Sequence, residues 1–305
     1  MPDASLHNVA TLVVKPQAGD AEAAAEALAE AMAAAGARII ARTCLGPGAH
    51  DLAFSGLPLP VARAIARAHP LTQAADIAVQ PVAGRRKRLL VADMDSTMIT
   101  VECIDELADL VGCKAEVAAV TAAAMRGEID FAAALRERVA LLAGLPLAAI
   151  ERCLAERVRP APGAATLVRT MAASGARTML VSGGFTLFAE PVARQLGFDA
   201  ARANRLETLG DRLSGRVLSP VLDAAGKRAA LIDARAETGL ARSETLAVGD
   251  GANDIAMVEA AGFGVASYGK PALAAVADAA IRHGDLTALL YFQGYRREEF
   301  VASGQ

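Results

Sequence analysis

Asp93 and Asp95 stand two residues apart in Asp93-Met94-Asp95-Ser96-Thr97, directly behind the wholly apolar run Leu89–Ala92. Like charges gathered at the end of a buried strand are costly unless a cation or a shared proton relieves them. Magnesium suits such a pair, being a hard ion that takes carboxylate oxygens and keeps several waters. A lone DxD reads more readily as an acidic turn, so the weight must come from elsewhere. It comes from Gly249-Asp250-Gly251-Ala252-Asn253-Asp254, at the end of a second apolar run, Thr245–Val248. The glycines permit a tight turn that brings Asp250 to a metal, and Asn253 or Asp254 can cap the helix that follows. A cap accounts for one polar residue and leaves the other acids unexplained, which favours a metal site.

Two further segments suit an anion. Ser182-Gly183-Gly184 follows the run Thr178–Val181 and precedes a predicted helix over about Thr186–Leu196. Its hydroxyl and free backbone N–H groups can hold anionic oxygens. Lys227 opens a predicted helix that runs to about Thr238, an end where the macrodipole disfavours a cation unless an anion lies nearby. Taken singly, these would be a turn and a solvated lysine.

In order and spacing the four segments resemble the motifs of the haloacid dehalogenase superfamily of phosphatases: DxDx[TV], a Ser or Thr after the second strand, a Lys, and a GDGxND-type acidic motif. The likeness covers residues from about 88 to 292. It narrows to phosphoserine phosphatases of the serine-biosynthesis type through Glu102, Met125-Arg126-Gly127-Glu128, Phe131 and Arg138. The resemblance implies that Asp93 is the nucleophile, forming an aspartyl-phosphate, and that Asp95 is the general acid and base. It implies Mg2+ held by Asp93, Asp250 and the backbone carbonyl of Asp95, with Asp254 orienting that shell. Ser182, Gly183, Lys227 and Asn253 would bind the phosphate, Glu102 the substrate amine and Arg138 its carboxylate. The implied reaction is hydrolysis of O-phosphoserine to serine and phosphate, the last step of serine biosynthesis. A related small-molecule phosphatase or phosphotransferase stays open, as does an amino-acid-binding regulator with an inert catalytic unit.

The residues around Arg138 carry their own reading. Phe131, Leu135, Arg138 and Leu142 recur at helical spacing, so the arginine shares an apolar face and points inward. There its planar fork needs an anion, either a bound carboxylate or an internal acid. Glu102, at a helix start, is equally an acid stabilised by the helix dipole.

The elements that must position these residues begin with the predicted order βαββαβ over residues 8 to 81. Strands are expected at Val9–Val14, Arg38–Cys44, Asp51–Phe54 and Asp76–Pro81, with helices over Asp20–Gly36 and Pro60–His69. This ferredoxin-like order resembles ACT-type amino-acid-sensing domains, which implies dimer contacts or an amino-acid effector such as serine. A boundary falls at Pro81–Arg88, where turn residues run into Arg85-Arg86-Lys87-Arg88, read as a solvated linker. Residues 1–84 and 85–305 are therefore expected to form separate domains. In the second, short apolar runs alternate with helices, the pattern of a Rossmann-like, doubly wound parallel sheet whose ligands bind at the carboxyl ends of strands. A helical stretch over about 102–160 is too long for a crossover and reads as a cap. Arg202–Pro220 reads as a later hairpin.

The bulk composition excludes several functions. The chain has 305 residues, 54% hydrophobic and 4% aromatic with no Trp, so Ala, Val and Leu must fill its cores. A net charge of −3 with interspersed signs argues against nucleic acid as a partner. No run suits a membrane span, and four cysteines without a CxxC pair suit free thiols in a cytoplasmic protein.

Overall fold

The structure, a computed structural model, describes residues 7–15 and 19–302, the side chain of Met125 excepted. Its first part contains β1 (Asn8–Val14), α1 (Ala21–Ala34), β2 (Arg38–Gly46), β3 (Ala49–Ser55), α2 (Leu59–Ala68) and β4 (Ala75–Pro81). These are the predicted elements in the predicted order. Asp20 starts α1 by accepting the Glu22 N–H at 2.9 Å, and Ala25, Leu28, Ala29 and Met32 form its buried stripe. The four strands make an antiparallel sheet in the order β2-β3-β1-β4, which is the ferredoxin-like arrangement.

Alternation along β1 divides this sheet's contacts. Ala10, Leu12 and Val14 face the core beneath α1 and α2, while Val13 joins the larger core of the second part. The second part begins with β5 (Leu89–Ala92). Then come α3 (Cys103–Val111), α4 (Lys114–Met125), α5 (Phe131–Ala140), α6 (Leu147–Glu156) and α7 (Ala164–Ala173). After β6 (Arg177–Phe185), α8 (Thr186–Leu196) and β7 (Ala200–Asn204), a hairpin of β8 (Leu206–Leu209) and β9 (Arg212–Val217) precedes α9 (Ala224–Glu237). The chain closes through β10 (Thr245–Gly249), α10 (Ile255–Ala260), β11 (Phe263–Ser267), α11 (Pro271–Val276), β12 (Ala279–Ile281) and α12 (Ala288–Phe292).

Six of these strands form an all-parallel sheet in the order β12-β11-β10-β5-β6-β7. It is covered on both faces, as parallel sheets are. In β5, Leu90 and Ala92 pack in the core that includes α7, α8 and α12, while Leu89 and Val91 pack against α9, α10 and α11. A buried run of four apolar residues is what that double burial demands.

Three sequence expectations need correction. Ser182-Gly183-Gly184 does not follow its strand but extends it: β6 runs through Phe185, with its pairing to β7 shifted between Val181 and Phe185. The expected hairpin over Arg202–Pro220 is shorter, because Arg202 lies in sheet strand β7. The hairpin itself joins the helices of the expected cap, with Pro146 bridged to Arg212 and the Gly144 N–H donating to Leu213 O at 2.8 Å.

The basic run is only partly a solvated linker, for Arg86 and Arg88 are exposed while Arg85 and Lys87 turn inward. Arg85 donates to both Asp51 oxygens at 2.6 and 2.9 Å and to Thr11 Oγ1 at 3.0 Å. It also reaches the carbonyls of Tyr291 and Phe292 at 3.3 Å. Lys87 is buried and donates to the carbonyls of Gly84 and Ser243, each at 2.8 Å. A carboxylate buried on β3 and carbonyls of helix α12 draw Arg85 inward, and the two loop carbonyls hold Lys87.

Candidate active site

β5 and β10 are neighbours in the sheet, so the segments after Ala92 and Gly249 emerge side by side, with the end of β6 on the other flank of β5. Asp93, Asp250 and Asp254 meet there, with one carboxylate oxygen from each lying within 4.8 Å of the others, all buried. Gly249 makes the close approach possible, since a Cβ at that position would collide with the Asp254 side chain. Lys227, 1% exposed, places its ammonium 2.6 Å from Asp93 Oδ1 and 2.7 Å from Asp254 Oδ1. It stands in the first turn of α9, which begins three residues earlier than predicted, with Asp223 as the cap. Burial opposes the charge on Lys227, but Asp93 and Asp254 outweigh it and raise its pKa.

Asp254 holds the N-cap position of α10 without capping it by its side chain. Its Oδ2 accepts the N–H groups of Asp250 and Gly251 at 3.1 Å each, so both of its oxygens serve to hold the Asp250 turn and Lys227. Asp93 Oδ1 is taken by Lys227 and the Met94 N–H, and Asp250 Oδ1 by Thr97 Oγ1 at 3.2 Å. Among the described residues no donor reaches the second oxygen of Asp93 or of Asp250. Three carboxylates against one ammonium leave two negative charges buried among hard oxygen donors, and this set fits a divalent cation. Burial, then Asp254 and Asp95, push the Asp93 carboxyl well above the usual range, with Lys227 opposing. Burial, Asp254 and Glu102 raise Asp250 in the same way.

Asp95 turns away from that group. Its Oδ1 accepts the Cys103 N–H at 2.9 Å, and its Oδ2 accepts Ser182 Oγ at 3.2 Å. Cys103 is the first residue of α3, so its N–H is one of the donors that a helix start leaves without an internal partner. Burial and Glu102 raise Asp95 to about 6, those two hydrogen bonds notwithstanding. Ser182 is itself fixed by the Gly184 N–H at 2.8 Å. Ser96, between Asp95 and Thr97, takes a left-handed backbone with φ 55° and donates to Glu102 Oε1 at 2.6 Å.

A cavity of about 300 Å³ opens over this cluster, with Asp93, Asp95, Gly183, Asp250 and Asn253 at its floor and Glu102, Phe131, Leu135 and Arg138 along its walls. Glu102 holds the N-cap position of α3 without capping it by its side chain. Arg138 is partly buried, and its contacts are weak, 3.3 Å to Ala134 O and 3.5 Å to Thr121 Oγ1. Among the described residues it forms no ion pair, and Asp105 and Glu102 favour its charge from farther off, against its burial. The structure thus brings together every predicted site residue, with Ser182, Lys227 and Asp254 buried just behind the cavity. Arg126 and Glu128 pair with each other on the surface at 2.6 and 2.9 Å. The side chain of Met125, beside them, lies outside the described residues.

Several contributors had no residue-type signal. The Cys103 N–H is backbone. Asn204 is buried and donates to Gly183 O at 2.9 Å while accepting the Leu222 N–H at 2.6 Å, so it ties β6 to the segment before α9. Asp105, Thr121 and Lys270 also line the cavity. Only their neighbourhood in space identifies them.

The chain belongs to the haloacid dehalogenase-like hydrolases, whose family model matches residues 90–259. It is 47% identical over 230 residues to a phosphoserine phosphatase of Mycobacterium tuberculosis, a match over 75% of this chain and 56% of that protein. A phosphoserine phosphatase of Streptomyces coelicolor is 44% identical over 255 residues, 83% of this chain and 62% of that one. The chain therefore spans less than two thirds of the length of either relative. Among solved structures, a probable phosphoserine phosphatase from Vibrio cholerae in unliganded form superposes with a TM-score of 0.75 and 31% identity, over 97% of this chain and 88% of that chain.

Proposed function

We propose that the protein is a magnesium-dependent phosphatase that hydrolyses O-phosphoserine to serine and phosphate. The observation that carries this reading is the convergence of Glu102 and Arg138 on the cavity that holds Asp93 and Asp95. A carboxylate and a guanidinium facing one small space match an ammonium and a carboxylate on the same ligand. The names of the relatives in Mycobacterium and Streptomyces point the same way.

In this mechanism an Asp93 oxygen attacks phosphorus and forms an acyl phosphate, and the bond from phosphorus to the serine oxygen breaks. Asp95, raised to about 6, is protonated in a fraction of molecules near neutrality and gives its proton to the departing oxygen. It then takes a proton from the water that hydrolyses the acyl phosphate. Ser182, Gly183, Lys227 and Asn253 stabilise the phosphoryl oxygens. Asp93, Asp250 and the Asp95 carbonyl would hold Mg2+, with Asp254 fixing the turn that carries Asp250. When bound, the ion supplies charge screening between a carboxylate nucleophile and an anionic phosphate. The helices over residues 102–160 act as a cap that excludes water during the first step.

The N-terminal sheet fits copy-to-copy contact or sensing of an amino acid such as serine, for its fold is ACT-like and its edge strand β2 is largely exposed. Serine titrations by calorimetry and the mass in solution test that half.

The main test measures phosphate release from a panel of phosphorylated amino acids and sugars, with and without a metal chelator. Preference for phosphoserine, loss with chelator and recovery with magnesium are expected. Preference for a sugar phosphate, or turnover indifferent to the chelator, would overturn the reading.

A further inference from the structure

Five carboxylates line the cavity against two cations, Arg138 and Lys270. Fully ionised, that lining carries three excess negative charges, and one divalent cation leaves it still negative. A phosphate monoester is dianionic, so its approach from solvent is opposed. Arg138 sits part-buried on the wall, but Lys270 is exposed. Among the described residues Lys270 forms no ion pair, whereas Lys227 is held by two acids. Its backbone is fixed to the site, for the Lys270 N–H donates to Asp250 O at 2.8 Å. Its charge reaches Asp250, where it opposes the effect of burial. Helix stability gives no reason for it either, since it stands at the N-terminal end of α11, where the dipole disfavours a cation.

We propose that Lys270 is a substrate-capturing residue: its ammonium meets the phosphate group of the incoming monoester and offsets the repulsion of the acidic lining. This rests on the phosphomonoester reading above and adds a residue to it. Because the contact is to phosphate, it acts on any monoester, unlike the proposed pairing of Arg138 with a substrate carboxylate.

The experiment compares the wild type, Lys270→Gln and Lys270→Arg in steady-state kinetics with O-phosphoserine and p-nitrophenyl phosphate, from low to high ionic strength. Lys270→Gln is expected to lower kcat/KM for both esters about tenfold at low salt. The change should be carried by KM and shrink to less than about twofold near 0.5 M salt, where the screening length is only a few ångström. Lys270→Arg should retain wild-type behaviour. A kcat/KM equal to wild type at low salt, a loss constant across the salt range, or a loss shared by Lys270→Arg overturns the proposal. If the wild type turns over neither ester, the phosphatase reading fails first. Calorimetry with inorganic phosphate then decides on Lys270: weaker binding by Lys270→Gln supports it, and equal binding overturns it.

Discussion

Asp93 shares its surroundings with Lys227, Asp254 and Asp250, and each of these restrains another. Lys227 holds Asp93 and Asp254 in place, and Asp254 in turn holds the backbone of Asp250. Replacing Asp93 by Asn keeps the shape but removes the proposed anionic nucleophile. Asp93→Asn should show no measurable phosphate release, because the uncatalysed reaction is among the slowest known. Near-normal turnover would eliminate the covalent route. Arg138 tests substrate choice instead. Arg138→Ala should cut kcat/KM for phosphoserine by roughly 100-fold while affecting p-nitrophenyl phosphate much less, as expected for loss of a charged bidentate contact. Equal losses on both substrates would make Arg138 a structural residue. These acids and this arginine were legible in the sequence because they directly follow apolar runs or share a helix face with leucines. The Cys103 N–H and Asn204 were not. A backbone donor has no residue-type signature, and a buried asparagine looks like a loop asparagine until its strand is placed.

At the scale of elements, the segments after β5 and β10 and the last residues of β6 carry the proposed chemistry, and strand order brings them together. The strands themselves were legible as apolar runs. The attachment of the β8–β9 hairpin to the cap was not, since Pro146 and Arg212 are joined by a contact that no local pattern encodes. A comparable long-range tie fixes the loop after β12. Asp76 at the start of β4, 2% exposed, accepts the N–H groups of Arg282, His283 and Gly284 at 2.7 to 3.3 Å. Gly284 O in turn accepts the Tyr268 hydroxyl at 2.9 Å, and Tyr268 is two residues from Lys270. Asp76→Ala leaves three backbone donors without their acceptor and should cost about 2–4 kcal/mol, water replacing part of the loss. Urea unfolding measures it. A change under about 0.5 kcal/mol would show that the loop holds itself.

For the whole molecule the question is how the two sheets share stability. Lys87 lies at their junction, and burial lowers its pKa to about 8, with Asp278 opposing. Above that pH the folded chain releases a proton that the unfolded chain keeps until near the ordinary lysine value. The unfolded state then binds more protons, so stability gained from this group rises with pH between about 8 and 10.5. Lys87→Met should remove that rise, seen by comparing urea midpoints of the two proteins across this window; parallel pH profiles would refute it.

Arg85 makes the stronger claim about the junction. The basic run looked like a linker because the partners that bury Arg85 lie far away in the chain, in β1 and β3 or around α12. Its guanidinium, about an eighth exposed, is the counter-charge of Asp51 and also donates to carbonyls of α12. Arg85→Met would leave the Asp51 carboxylate buried without its partner, a change that costs about 3–5 kcal/mol. Because the same side chain bridges the two sheets, the loss should fall on their coupling. Calorimetry of the wild type is expected to show one cooperative transition, and Arg85→Met an earlier, separate melting of the N-terminal sheet. Adding Asp51→Asn should recover part of the loss, since it removes the stranded charge. A single unshifted transition in Arg85→Met would mean that the other ties across the junction, the apolar contacts of Val13, Ala49 and Ala78 with the larger core and the hydrogen bonds of Asp76, hold the two parts together without the ion pair.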